Sequence, residues 1–239
     1  MTRLDEIAPD VYRICTFAKT VNLQFCQFLI ADDEPMLYHA GMRRMFEPTR
    51  DAVAQVLDPS TLRWIGFSHF EADEVGALNE WLELAPEATA IGSVPGAEVN
   101  VNDFAIRPVR PLADDETFAT GKFRWRFLQT PHMPHAWDAG HLFEETTRML
   151  LGSDVLNQDG DGPPVIEEGA AELMRRQLES YGATPFDYYM PYTSRTSTQL
   201  ERLAKLEPQL CVTMHGSSFR GDGAAELRRM DELLREFAE

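Results

Sequence analysis

Positive charge is scarce in this sequence. Of its 239 residues, 22 are Lys or Arg and 39 are Asp or Glu, a formal charge of −17 at pH 7. There is no basic stripe to meet a phosphate backbone or an anionic bilayer, so no nucleic acid and no membrane are expected as partners. Long apolar runs are also missing, and none approaches the roughly 20 residues that span a bilayer. The opening Met1-Thr2-Arg3-Leu4-Asp5-Glu6 lacks the apolar stretch of a secretory signal. Cysteine is sparse too. Cys15, Cys26 and Cys211 are odd in number and scattered through apolar, strand-like text, which excludes a disulfide frame and predicts reduced core residues in a cytoplasmic protein.

What remains is ordinary core material with an unusual arrangement of charge. At 44% hydrophobic, the chain can bury one large core or two small ones. No internal repeat or low-complexity linker divides it, so a single domain over 1–239 is expected. Strand-like runs come first, at Val11–Thr16, Leu23–Ile30, Pro35–Tyr38 and Arg63–Phe67. Helical spacing is predicted over 51–57 and 74–84. Short strands are predicted near 89–91, 104–109, 123–129, 141–144 and 148–152. The last third reads as helices over 167–181, 197–206 and 224–237, with one strand over 210–214. Strands and a helix followed by strands and helices suggest two sheets face to face with helices outside, an α+β class.

The charge concentrates where a buried strand ends. Leu62-Arg63-Trp64-Ile65-Gly66-Phe67 runs into Ser68-His69-Phe70-Glu71-Ala72-Asp73-Glu74, and so much ionisable chemistry after an apolar strand calls for a neutralising cation. Three later segments match it: Pro131-His132-Met133-Pro134-His135, Gly152-Ser153-Asp154 and Met214-His215-Gly216. Each falls where a strand passes into a loop, the usual place for a site. His69, Glu71, Asp73, His135, Asp154 and His215 together make three imidazoles and three carboxylates with no thiolate. Such a set suits Fe or Mn, whereas imidazole-dominated sets suit Zn. Lone histidines such as His39 and His141 read as hydrogen-bonded core or surface residues. Met42-Arg43-Arg44-Met45-Phe46 reads as a surface turn in preference to an anion-steering patch.

The order His-x-Glu-x-Asp, His, Asp, His resembles the metallo-β-lactamase superfamily, and within it the oxygen-binding di-iron domain of flavodiiron proteins. The resemblance runs from about Tyr12 to Asp222 and includes His135-Ala136-Trp137-Asp138 and His215-Gly216-Ser217-Ser218. It favours His135 over His132 as the ligand and implies a place near the pocket for His39. The hydrolytic branch has a histidine at the position of Glu71; the di-iron branch has glutamate, as here. By this resemblance the fold is a four-layer αβ/βα sandwich, the metallo-β-lactamase fold. His69, Glu71 and His135 hold one of two Fe ions, Asp73 and His215 the other, and Asp154 bridges them. Mn or Zn are the alternative metals. The superfamily often has histidine at the position of Glu74, which here is left to ligate, to orient a water, or to open a helix and act from outside the ligand set.

The function implied is a non-haem di-iron protein that binds O2 or NO, as a reductase or as an oxygen or redox sensor. The chain holds no flavodoxin-like half, so a separate flavoprotein or rubredoxin-like electron donor is expected. Head-to-tail pairing in that family implies a homodimer. The competing reading is a two-metal hydrolase of phosphodiesters or thioesters using a metal-bound hydroxide, against which Glu71 counts. A degenerate interaction module is a third, opposed by the intact set of six donors.

Overall fold

In the computed structural model, which describes residues 2–182 and 184–238, the first third of the chain builds one sheet. Three strands, β1 (Thr2–Ala8), β2 (Val11–Ala18) and β3 (Leu23–Ile30), form an antiparallel meander and pass to β4 (Met36–Tyr38). From there the sheet turns parallel. β5 (Trp64–Gly66), β6 (Thr89–Ser93) and β7 (Arg110–Leu112) follow in order. Parallel neighbours need crossovers. α1 (Phe46–Val53) leads into β5, while α2 (Ala72–Val75) and α3 (Leu78–Leu84) lead into β6.

The second sheet comprises β8 (Thr117–Ala119), β9 (Arg124–Gln129), β10 (Gly140–Glu144), β11 (Met149–Leu151), β12 (Val165–Ile166), β13 (Leu210–Val212) and β14 (Ser218–Arg220). Its spatial order is β12-β14-β13-β11-β10-β9-β8. Three helices, α4 (Ala170–Tyr181), α5 (Thr196–Ala204) and α6 (Gly223–Ala238), accompany it.

Three apolar clusters define the layers. Leu29, Leu37, Ile65, Leu78, Trp81 and Leu82 join the first sheet to α1–α3. Phe28, Ile30, Met36, Trp125, Phe127 and Leu151 fill the space between the sheets. Leu150, Cys211, Met174, Leu203, Leu227 and Met230 join the second sheet to α4–α6. The result is helix, sheet, sheet, helix: the four-layer αβ/βα sandwich of the metallo-β-lactamase fold. Each large buried side chain contributes about 1.5–3 kcal/mol. Trp81 is wholly buried in α3, and its indole N–H donates to the Ala40 carbonyl at 2.8 Å, fixing the turn that carries His39.

The strand directions place the site. β10 is antiparallel to both β9 and β11, and β11 is parallel to β13. Hence β9, β11 and β13 point the same way, and the loops bearing His135, Asp154 and His215 leave from one rim.

Some elements differ from expectation. Residues 104–109 are not a strand: the Ile106 and Val109 amides donate to the side chains of Asn79 and Asn102, so side chains take the place of a ladder. The helix expected over 51–57 lies earlier, at Phe46–Val53. That expected over 74–84 is broken at Gly76-Ala77 into α2 and α3. Strands β1, β8, β12 and β14 were not legible: the first alternates charge with apolar residues at an edge, and the others have two or three residues.

Candidate metal centre

His69, Glu71 and Asp73 all lie just beyond β5, within one turn of chain. The segment is pinned at its middle. The Phe70 amide donates to Asp138 Oδ2 at 3.1 Å, and the Asn100 side chain donates to the same oxygen at 3.1 Å. Asp138 is itself buried, so the tetrapeptide His135-Ala136-Trp137-Asp138 supplies both a candidate ligand and the clamp on the first motif.

The six side chains picked out in the sequence do come together. His69 Nε2 lies 3.7 Å from Glu71 Oε2 and 3.6 Å from Asp154 Oδ2. His135 Nε2 lies 3.1 Å from Asp154 Oδ2, and its Nδ1 is 3.6 Å from Glu71 Oε1. Among the described residues, ligand atoms of His69, Glu71, His135 and Asp154 fall within 4.8 Å of one another. On the other side, His215 Nε2 is 3.3 Å from Asp73 Oδ2 and 3.3 Å from Asp154 Oδ1. Asp154 therefore turns one oxygen to each group. His132 is not part of this: it is exposed, and its ring contacts the His135 carbonyl at 3.3 Å.

Outer hydrogen bonds aim the imidazoles. His215 Nδ1 donates to the Gln24 carbonyl at 2.7 Å, which turns Nε2 toward Asp73 and Asp154. The Ser68 hydroxyl donates to Glu74 Oε1 at 2.7 Å, so it accepts from His69 Nδ1, also at 2.7 Å. His69 Nε2 is then free toward the centre. This pattern, one ring nitrogen held and the other bare, is how metal-binding histidines are oriented. Gly216, at φ 96°, makes the turn after His215, where a Cβ would come within 2.7 Å of Gln158.

Glu74 faces away from that cluster. It is wholly buried and accepts from the Ser68 amide, the Ser68 hydroxyl and the Ser153 hydroxyl. His39 Nε2 lies 3.3 Å from it. The carboxylate thus ties the loop after β5 to the loop after β11. His39 and Ser153 both adopt positive φ, 68° and 49°, a conformation that costs a non-glycine residue energy and gathers at functional sites. His141 braces the same loop. Its Nε2 donates to the Gly152 carbonyl at 3.1 Å, and its Nδ1 accepts from Thr130 at 2.8 Å.

The electrostatics are those of a cation site. Burial alone would depress the pKa of His69, but Glu74, Glu71 and Asp154 overcome it and raise the pKa to about 10. For His215, burial is likewise overcome, chiefly by Asp73 and Asp154, and its pKa rises to about 9. Despite burial, Asp73 and Asp154 are held below the ordinary carboxylate range by those same histidines, with His135 also acting on Asp154. His141, with burial dominant, falls to about 3 and stays neutral. Tyr189, whose ring lies 4.8 Å from that of His135, is pushed up by burial and by the nearby carboxylates, so it keeps its phenolic proton.

The donor set fits a metal pair. His69 Nε2 and Asp154 Oδ1 are buried with no hydrogen-bond partner among the described residues, which is costly for polar atoms unless something coordinates them. The carboxylates present hard oxygens with no sulfur among them. The open side is at Glu71, whose side chain is 41% exposed, while Asp154 is 2% exposed. Phe70, Phe104 and Trp137 stand partly exposed nearby, with the two phenyl rings 6.1 Å apart. In the sequence Ser68, Ser153, Gln24 and Tyr189 carried no signal of their own, since each acts through a ligand candidate and not on a metal.

Residues 23–216 match the family described as ODP family beta lactamase. The chain is 26% identical over 197 residues to diflavin flavoprotein A 6 of Nostoc sp., covering 81% of this chain and 34% of the relative. It is 23% identical over 197 residues to the rubredoxin-oxygen oxidoreductase of Megalodesulfovibrio gigas, covering 81% and 48%. The chain thus spans a third to about half the length of the curated relatives it matches. Among solved structures, rubredoxin oxygen:oxidoreductase from Desulfovibrio gigas superposes with a TM-score of 0.82 at 19% identity, over 96% of this chain and 61% of that one. The Flv1 flavodiiron core of Synechocystis sp. gives 0.81 at 23%, over 98% and 61%. These two share the fold.

Proposed function

The chain belongs to the ODP beta-lactamase family, and on that premise we propose that it is a non-haem di-iron protein that reduces O2 or NO with electrons from a flavoprotein or rubredoxin-like donor. The observation that carries this reading is Asp154, with Oδ2 toward His69 and His135 and Oδ1 toward His215. One carboxylate facing two nitrogen groups is what a bridged pair of ions needs. His69, Glu71 and His135 hold one ion; Asp73 and His215 hold the other.

A pair of ferrous ions held there supplies electrons and open coordination positions for a diatomic ligand. The protein's own residues prepare the site. Gln24 and Ser68 fix the donor faces of His215 and His69. Glu74 holds the two loops together through Ser68 and Ser153. Glu71 lines the open side, so a ligand enters past it. Tyr189 keeps its phenolic proton, and its ring packs beside that of His135. Reduction is preferred to sensing because a relative is named an oxygen oxidoreductase; hydrolysis is disfavoured by Glu71.

Elemental analysis of protein expressed with iron available and purified anaerobically tests this. Iron supply matters, because affinity order favours zinc over ferrous iron at many sites. A pair of irons per chain, with a visible band that changes when the reduced protein meets O2, is the expected result. A pair of zinc ions with robust hydrolysis of a generic phosphodiester overturns it.

A further inference from the structure

Cys15 on β2 stands directly opposite Cys26 on β3, on the face between the two sheets. Both are free and buried. Opposed residues of an antiparallel pair have Cα atoms about 4.5–5.5 Å apart, inside the roughly 4.4–6.8 Å range that a disulfide spans. The Cys26 thiol also reaches the Gly216 carbonyl, at 3.9 Å.

Beside them is a buried cation without a full partner. Arg13, two residues before Cys15, is wholly buried. Its Nη2 donates to Gln24 Oε1 and to the Gly216 carbonyl, each at 2.7 Å. Among the described residues its Nε and Nη1 have no hydrogen-bond acceptor, and the Asp5 carboxylate is 3.9 Å from Nη1. A buried guanidinium calls for a closer negative charge. A second guanidinium, that of Arg3, donates to Cys15 Sγ at 3.5 Å and to Asp161 at 2.6 Å. The neighbouring Cys26, with Arg13 and Arg3, holds Cys15 below the ordinary thiol range in spite of burial. Burial and the neighbouring Cys15 push Cys26 the other way. One sulfur is poised as thiolate and its neighbour as thiol, the division of labour of a reactive pair. Arg3, whose side chain is 40% exposed, links the buried Cys15 to the surface. Burial, with Glu226 adding to it, pushes the Cys211 thiol up to about 12.

We propose that Cys15 and Cys26 are a redox-active dithiol, oxidised to a disulfide by small hydroperoxides, with Cys15 attacking and Cys26 resolving. The Cys15 thiolate attacks one peroxide oxygen, the O–O bond breaks, and hydroxide leaves and takes a proton from solvent. Cys15 is then a sulfenic acid. The Cys26 sulfur attacks it, the S–S bond forms, and the sulfenic hydroxyl departs with the Cys26 proton as water. Two electrons from the sulfur pair thus reduce one hydrogen peroxide to water. Thiol–disulfide exchange with a small thiol would break the bond again and return both cysteines to thiols.

The test uses the metal-loaded protein, reduced and desalted anaerobically, exposed to hydrogen peroxide, quenched with catalase and alkylated under denaturing conditions. Trypsin cuts after Arg13 and Lys19, so the two cysteines fall on separate peptides. Expected is loss of two of the three alkylatable thiols, a linked Cys15–Cys26 peptide that dithiothreitol separates, and a fully alkylated Cys211. Diamide, a thiol oxidant that needs no metal, must give the same linked peptide from metal-free protein. Cys26→Ser should accumulate a dimedone-trapped sulfenic acid at Cys15, whereas Cys15→Ser should leave Cys26 alkylatable. Three free thiols in the treated wild-type protein overturn the proposal. So does a linked peptide that forms only when iron is bound, or first oxidation at Cys26 or Cys211.

Discussion

Ser153 donates its hydroxyl to Glu74 Oε1, the oxygen that also accepts from Ser68. Two residues 79 positions apart in sequence thereby lock the first motif to the loop that carries Asp154. The superfamily pattern often places a metal-binding histidine at the position of Glu74; here the carboxylate is a strut.

Glu74→Gln tests the strut. The amide nitrogen cannot accept from the serines, so at least one buried donor is left unpaired. The expected cost is about 1–3 kcal/mol in thermal or denaturant unfolding, with metal retention weakened roughly 10–100-fold in a chelator competition. Unchanged retention together with unchanged stability would show that Glu74 does neither job.

Removal of single donors should separate the two ions. His215→Ala takes the only nitrogen from one group and leaves His69, Glu71 and His135 intact, so about half of the bound metal should be lost. Asp154→Ala removes an oxygen from both and should lose nearly all of it. Equal metal content in both variants and wild type would mean that the ligand assignment is wrong.

Glu71→His probes metal choice. Exchange of an oxygen donor for imidazole moves the set toward zinc. Metal analysis after growth with both ions supplied should show the zinc-to-iron ratio rising, and reaction with O2 falling. A ratio that stays at the wild-type value contradicts the role given to this residue.

The pH dependence of metal-free protein has two limbs. Histidine in the unfolded chain titrates near 6.5. His69 and His215 are raised to about 10 and 9 in the folded state, so their stabilisation is fully present below about pH 6.5 and is lost as pH rises through those values. His141 is depressed to about 3, so its contribution is present above about pH 6.5 and is lost as pH falls. Melting temperature of the chelated protein should therefore peak near pH 6.5 and decline on both sides. Bound metal takes the place of the protons on His69 and His215, so the alkaline decline should shrink. A metal-free melting temperature that rises from pH 6.5 to 10 would contradict the protonated-histidine picture.

The four layers were legible because each buried strand runs apolar for several residues and each outer helix keeps a 3.6-residue stripe. Leu23–Ile30 was read to its limits, since all but its first residue are buried. The six candidate side chains were legible because their chemistry conflicts with the apolar strands before them. Their convergence was not, because it depends on β9, β11 and β13 running in one direction, which no local pattern encodes. Phe104–Val109 misled for a related reason: two asparagines from elsewhere satisfy its amides. Arg13 was also invisible as a buried cation, since its isolation arises only when Gly216 folds back over β2.

The first sheet delivers His69, Glu71 and Asp73 from a single short run of chain, whereas the second delivers His135, Asp154 and His215 from three separate loops. The centre is therefore asymmetric toward insertion and deletion. Lengthening the chain between β5 and α2 displaces three donors at once, while a change after β9, β11 or β13 displaces one and leaves five in place. Changes of loop length should therefore be tolerated on the second sheet, where a single donor moves, before they are tolerated between β5 and α2.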